Sequence, residues 1–237
     1  MSGHSKWSQI KRKKGITDQK RGLIFSKISK IITLAVKEGG GIGDPEKNVK
    51  LRLAISMAKT SNMPKDTIDR AIEKGKGTGA SNLKEIIYEG FGPSGGSLLI
   101  VATSDNSNRS HAEIKHALEK SGGKMGSIHS VAHNFQRCGR VILSEALVTE
   151  DTVFEFCDKI GFLDMEEVGD EYLIYVPFEK LGAVHDVLGE VQTESIEIFY
   201  RPLVTVPTNE VVHAKVENLL DILEDLEDVD KVYTNYA

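Results

Sequence analysis

Two cysteines in 237 residues, Cys138 and Cys157, are too few for a disulfide framework or for a cysteine-built four-ligand zinc site. No apolar run approaches the roughly 18–20 residues that span a bilayer. The lysine-rich start has no apolar stretch and small-residue cleavage site behind it, so no secretory signal is expected. Walker-type phosphate loops and nucleophile elbows are missing as well. These absences point to a reducing, cytoplasmic setting and to a chain that is not an enzyme.

Several residues come close to a catalytic or metal signature and fail on context. Gly90-Phe91-Gly92-Pro93-Ser94-Gly95 matches G-x-G-x-x-G, but a strand pattern follows where a dinucleotide fold requires a helix facing the pyrophosphate. A tight hairpin turn is the better reading. His129 and His133 stand four apart, yet no third ligand is nearby. The acids of Glu224-Asp225-Leu226-Glu227-Asp228 are too dense for a tuned acid–base pair and read as a solvated helix face. No metal and no cofactor is expected.

What the chain does have is segregated charge. Residues 1–76 hold 18 basic against 7 acidic side chains, a net +11, and residues 141–237 hold 5 against 23, a net -18. The overall -5 conceals this dipole, which would turn the basic end toward a polyanion before contact.

Hydrophobic periodicity divides the chain. Ile24, Ile28, Ile31, Ile32 and Ala35 form one helical stripe, Lys27, Lys30 and Lys37 lie on another flank, and Gly39-Gly40-Gly41 stop the helix. Two shorter helices follow, the second opened by Pro64 with Asp66 in its first turn and stopped by Gly75. Residues 75–81 read as a linker. Beyond it, 86–91 and 97–103 read as a hairpin and 107–120 as an amphipathic helix. Strand 140–144, helix 150–160, strands 162–168 and 172–177, helix 178–191 and strand 195–201 give a βαββαβ order. Helix 209–227 and a last strand near 231–234 close the chain and return to the first α/β unit. The expected class is therefore α+β. Its domains are a small basic helical one (1–80), a middle α/β one (81–138 plus 206–237) and an acidic, inserted ferredoxin-like one (139–205).

Residues 1–30 contain nine Lys or Arg against one acid, Asp18, a density that favours phosphate through counterion release. Trp7, the single tryptophan, sits inside this cluster, where an indole can stack on an unpaired base or anchor the arm to the core. Expected nucleic-acid-binding residues are Gly3, His4, Ser5, Lys6, Trp7, Lys11, Arg12, Lys13 and Lys14 in the arm. Lys20, Arg21, Lys27 and Lys30 extend the set along the first helix. Asn106 or Ser107 is expected to cap helix 108–120 rather than to hold a ligand.

Gly3-His4-Ser5-Lys6-Trp7, Asn62-Met63-Pro64-Lys65-Asp66, Tyr88-Glu89-Gly90-Phe91-Gly92-Pro93 and Asn108-Arg109, with Asp44-Pro45, Leu51-Arg52, Asp105-Asn106 and Gly122-Gly123, occur in one order along the chain. In these motifs the sequence resembles the YebC/PmpR family of probable transcriptional regulators, whose mitochondrial relative is the translational activator of cytochrome c oxidase subunit I. The resemblance implies three domains and a cytoplasmic, cofactor-free protein. Gly41-Ile42-Gly43 lengthens a loop relative to that pattern, Lys115 replaces a usual arginine, and His129 stands where glycine is usual.

The family has both DNA-binding and ribosome-acting members. Helices 51–60 and 64–74 superficially resemble a helix-turn-helix, but the second offers Lys65, Asp66, Asp69, Arg70, Glu73 and Lys74, a mixed set that a major groove would partly repel. A basic arm with one aromatic suits irregular RNA. Ribosomal RNA is therefore the favoured partner. Duplex DNA is the alternative, and a protein-interaction scaffold with an acidic recruiting surface is a second one. No membrane and no small-molecule substrate is expected.

Overall fold

The computed structural model describes residues 18–77 and 82–237. Seven α-helices and two four-stranded sheets occur among them, divided between two compact units. One unit comprises Gln136–Arg201, and the other runs up to Phe135 and resumes from Pro202 to Ala237.

The larger unit starts with α1 (Asp18–Glu38), α2 (Val49–Thr60) and α3 (Lys65–Lys76). Their apolar stripes meet in a core of Ile28, Ile32, Val36, Leu51, Ala54, Ala58, Met63 and Ile68. The glycine run ends α1 as expected, because Gly40 and Gly41 take φ of 69° and 84°, conformations that cost glycine little. The Gly41 amide then bonds the Val36 carbonyl at 2.9 Å. Asn48 caps α2 by accepting from the Leu51 amide, and its side-chain nitrogen donates to the Ala35 carbonyl of α1. Gly75 is not the stop that its position suggests. The helix continues to Lys76, and a Cβ at Gly75 would lie 2.6 Å from the Thr33 carbonyl and 2.7 Å from Val36. This glycine is there so that α3 can touch α1.

The hairpin pairs β1 (Lys84–Phe91) with β2 (Ser97–Ser104), from Lys84 opposite Ser104 to Phe91 opposite Ser97. The glycine-rich motif is the connection between antiparallel strands, and no helix follows it. The Tyr236 hydroxyl donates to the Pro93 carbonyl and accepts from the Gly96 amide, which pins the turn to the chain's last residues. After α4 (Ser107–Lys120) and the short β3 (Lys124–Met125), this unit resumes with α7 (Glu210–Glu224) and β8 (Val229–Thr234). Sheet order β3-β1-β2-β8 sets the closing strand beside β2. Leu98, Leu99, Ile100 and Ala102 of β2 are all buried, and both α1 and α4 pack against this strand. Cover on both faces explains why 97–103 reads as a continuous apolar run instead of an alternating one.

The smaller unit is ferredoxin-like, with β4 (Phe135–Ser144), α5 (Glu150–Ile160), β5 (Asp164–Val168), β6 (Glu171–Pro177), α6 (Val184–Leu188) and β7 (Ser195–Pro202) in sheet order β5-β6-β4-β7. The helix expected over 178–191 is instead a 3₁₀ segment, Phe178–Ala183, followed by the short α6. Gly182 lowers helix propensity within it, and Gly189, at φ 59°, ends it. Cys138 and Cys157 are buried free thiols, and burial pushes Cys138 up to about 11, which leaves it unreactive near neutrality. The unit's bases are largely used inside it. Arg140 pairs with Glu197, Arg201 with Asp164 and Lys159 with Glu155, and Lys180 donates to the Ile160 carbonyl. Its 15 acidic side chains against 5 basic ones leave it net -10.

Candidate nucleic-acid interface

Lys20, Lys27, Lys30 and Lys37 recur along α1 at spacings that share one helix face. This flank meets the end of α7, a helix with no basic residue in its own last turn. A helix C-terminus leaves carbonyls unpaired and attracts cations, and α1 supplies them. Lys27 Nζ donates to the Glu224 carbonyl at 2.5 Å and to the Val229 carbonyl at 2.6 Å. Lys20 pairs with Asp225 at 3.3 Å, and Lys37 donates to the Leu83 carbonyl at 2.8 Å. Only 8% of Lys27 is exposed; burial pushes its ammonium down to about 8, although Asp230 and Asp225 draw it back up. The expectation that Lys27 presents its charge to phosphate is therefore corrected. Its donors are committed to carbonyl groups inside the protein.

Asp228 is the centre of this seam. Its side chain is 2% exposed, against the expected solvated helix face, because α7 ends at Glu224 and the chain turns inward. Successive acids at a helix C-terminus oppose the macrodipole, so the helix stops before them. Asp228 Oδ1 accepts from Lys30 Nζ at 2.8 Å. Its Oδ2 accepts from Arg109 Nη2 at 2.7 Å and from the hydroxyls of Ser104 and Ser110, each at 2.9 Å. Burial alone would raise this carboxyl, but the bonds from Lys30, Arg109, Ser110 and Ser104 outweigh it and hold the group well below the usual carboxylate range. Asp230, two residues on, is pushed up to about 7 by burial, with the Thr103 hydroxyl and Lys27 opposing the rise. Lys30 also pairs with Glu227 at 3.1 Å, so its charge is balanced at two carboxylates.

Beside the seam lies a cleft of about 620 Å³ between α1 and α3. From α1 come Ser26, Ser29, Lys30 and Thr33, at i, i+3, i+4 and i+7, and from α3 come Thr67, Arg70, Ala71 and Lys74 at the same spacing. Asn82, Leu83, Asp105, Arg109 and Glu227 complete the lining. The Thr33 hydroxyl donates to the Ala71 carbonyl at 3.1 Å and joins the two helices at the floor. Arg70 Nε donates to the Asp66 carbonyl at 3.0 Å, and its Nη2 lies 3.4 Å from the Thr67 hydroxyl. Neither Arg70 nor Lys74 forms a salt bridge among the described residues, and both are exposed. They are the cations of the cleft that no carboxylate holds.

Of the residues expected at the interface, Gly3, His4, Ser5, Lys6, Trp7, Lys11, Arg12, Lys13 and Lys14 lie outside the described residues. Lys20 and Arg21 are exposed on the first turn of α1, Lys27 is buried in the seam, and Lys30 joins seam and cleft. Arg70, Lys74 and Arg109 were not expected there. The hydroxyl stripe Ser26-Ser29-Thr33, polar on a helix that needs its apolar face elsewhere, is the sequence signal that would have found the cleft. Asn106 caps α4 by accepting from the Asn108 and Arg109 amides, each at 3.2 Å. His129 and His133 stand in a turn and a 3₁₀ segment, and no group of three metal-ligating side chains occurs among the described residues. His129 has φ 67°, which accounts for the usual glycine at this position. The Glu89 carboxylate holds the turn by accepting from the amides of His129, Val131 and Ala132 at 2.6, 2.6 and 2.8 Å. No described helix is long and apolar enough to cross a membrane.

Three basic helices, an antiparallel sheet that the chain end rejoins and an acidic ferredoxin-like unit define a mixed α/β protein whose charge is segregated along its sequence. The chain belongs to the TACO1/YebC family. The TACO1/YebC protein N-terminal domain matches residues 5–78, and the TACO1/YebC second and third domain matches residues 83–236. A relative from Desulfatibacillum aliphaticivorans is 41% identical, covering 99% of this chain and 96% of its own. One from Desulfosudis oleivorans is 42% identical with the same coverage. Both carry the name "Probable transcriptional regulatory protein". The crystal structure of a conserved hypothetical protein, Aq1575, from Aquifex aeolicus is similar with a TM-score of 0.82 and 36% identity, covering 93% of this chain and 91% of that one.

Proposed function

We propose that this chain is a non-enzymatic regulator of gene expression that binds nucleic acid with its basic N-terminal part, and that its partner is ribosomal RNA. The observation that carries this reading is where the unpaired cations are. Arg70 and Lys74 line a concave cleft, while the exposed residues of α3 mix Lys65, Arg70 and Lys74 with Asp66, Asp69 and Glu73. A duplex major groove, about 12 Å wide, admits a protruding helix and is read by Arg, Asn and Gln; acids on that helix would be repelled. Irregular RNA offers splayed bases and accessible phosphates that a cleft and a basic arm can hold. Lys6, Trp7, Lys11, Arg12, Lys13 and Lys14 are the main grip in this reading. Lys20 and Arg21 continue it, since an exposed pair such as Lys20–Asp225 is worth about 0–1 kcal/mol and yields readily to phosphate. The acidic unit stays off phosphate, and the protein works in the cytoplasm without a cofactor.

Control of transcription through duplex DNA is the second reading. It is favoured by the name that the relatives carry and by two helices, α2 and α3, joined by a short turn at Asn62, whose φ is 55°. Crosslinking in cells, with sequencing of both bound RNA and bound DNA, separates the two. Enrichment of ribosomal RNA, with co-sedimentation on ribosomes at moderate salt, is expected. Reproducible protection of one duplex site, unaffected by competing ribosomal RNA, would replace this reading with the transcriptional one. Complexes that survive nuclease would favour a protein scaffold.

A further inference from the structure

We infer that the cleft between α1 and α3 receives one unpaired nucleotide of a single-stranded RNA, with its phosphate on Arg70 and Lys74. This rests on the nucleic-acid reading above and names the ligand of a site that the arm does not include.

Shape comes first. The helices touch where Thr33 and Val36 meet Ala71 and Gly75, and the cleft opens along the turns before that contact. Its volume of about 620 Å³ falls within the roughly 300–1,000 Å³ of small-ligand sites, so a nucleotide-sized unit fits. A stacked base pair cannot enter such a concavity, whereas a base turned out of its stack can.

Charge comes second. Lys30 is already paired with Asp228 and Glu227, and Arg109 with Asp228 and Asp105. Arg70 and Lys74, one turn apart on α3 with β-carbons about 5–6 Å from each other, are the pair left for an anion. The hydroxyls of Ser26, Ser29 and Thr67 both donate and accept, as recognition of a ribose 2′-hydroxyl requires.

The probe is a 5′-fluorescein-labelled eight-residue oligouridylate, titrated with the full-length protein by anisotropy at several salt concentrations. The double variant Arg70→Gln/Lys74→Gln changes two exposed side chains, so its melting temperature should match wild type. We expect its affinity to drop at least about tenfold. The slope of log affinity against log salt should shrink by roughly 1.4, at about 0.7 per lost contact on a single strand. Ser29→Phe, which fills the cleft without altering charge, should weaken binding and keep the slope. Annealing the probe to its complement should abolish the difference between wild type and the double variant, and free uridine monophosphate should not compete at oligonucleotide concentrations. If both variants bind the strand as wild type does, the cleft is not the site, although RNA binding itself stands. Equal losses on duplex, or competition by the free nucleotide, overturn the single-strand assignment. A wild-type protein that binds no RNA under any of these conditions brings down the nucleic-acid reading as well.

Discussion

Helices α1 and α3 both read as basic, yet they use their cations differently. Lys20, Lys27, Lys30 and Lys37 of α1 all find partners far along the chain, at Asp225, at the Glu224 and Val229 carbonyls, at Asp228 and at the Leu83 carbonyl. On α3, Lys76 pairs with Glu73 and Arg70 donates to the Asp66 carbonyl, both within one turn, and Lys74 is open to the cleft. A lysine stripe can thus be a clamp that joins distant segments, or it can be a phosphate surface. The distinction lies in what the opposite segment offers. The end of α7 brings unpaired carbonyls and a buried carboxylate but no cation of its own, so it draws in Lys20, Lys27 and Lys30 of α1.

Emptying the seam should have the largest effect on stability. Asp228→Ala takes from Lys30 and Arg109 their shared carboxylate and from the hydroxyls of Ser104 and Ser110 one acceptor, leaving them the Asn106 carbonyl. Hydrogen bonds to a charged group are worth about 1.5–3 kcal/mol, and urea unfolding should register a loss of that order, since Lys30 keeps Glu227 and Arg109 keeps Asp105. A loss below about 1 kcal/mol would mean that the seam does not hold the helices in place.

Lys27→Met sharpens the contrast. It keeps the apolar stem and removes the donor, leaving the Glu224 and Val229 carbonyls without that partner. Stability should fall by about 1–3 kcal/mol, while RNA affinity at a temperature where the variant is folded stays within about twofold. Weakened RNA binding with unchanged stability would return Lys27 to the interface.

A third effect is one of pH. Asp230 is pushed up to about 7 in the folded protein by burial, so on raising the pH from about 4 the unfolded chain releases this proton first. A raised carboxyl adds stability at low pH that is lost as pH climbs through the folded value, between about 4 and about 7. Lys27 has the opposite slope in a different window, losing stability as pH falls from about 10.5 through about 8. Asp230→Asn keeps an acceptor for the Thr103 hydroxyl and carries no charge, so it should gain on wild type steadily across pH 4–7. Parallel stability curves for the two proteins over that range would show that Asp230 is not perturbed in this way.

Much of the fold was legible where local chemistry decides it. Glycines past the end of α1, the asparagine that caps α4, and the change from helical to strand period all act within a few residues. Features set by distant partners were not. Gly75 looked like a helix stop because its use is a contact with Thr33 and Val36, some forty residues away. Asp228 looked solvated among four neighbouring acids or apolar residues because its cations come from α1 and α4. Lys27 looked like a phosphate ligand for the same reason in reverse. At the site, charge density along the sequence pointed to the basic end of the protein, while the cleft depends on two helix faces that only folding brings together.

If the basic N-terminal part grips RNA through its phosphates, reversing the charge of residues 11–14 must change the salt dependence of RNA binding. With Lys11, Arg12, Lys13 and Lys14 replaced by glutamate, the melting temperature should stay within a few degrees of wild type, because this stretch of sequence shows no apolar period. Affinity should collapse, and the slope of log affinity against log salt should shrink by roughly three units, at about 0.7 for each of four lost contacts. A four-glutamate variant that binds ribosomes and RNA as well as wild type, with the slope unchanged, would contradict the account at its root.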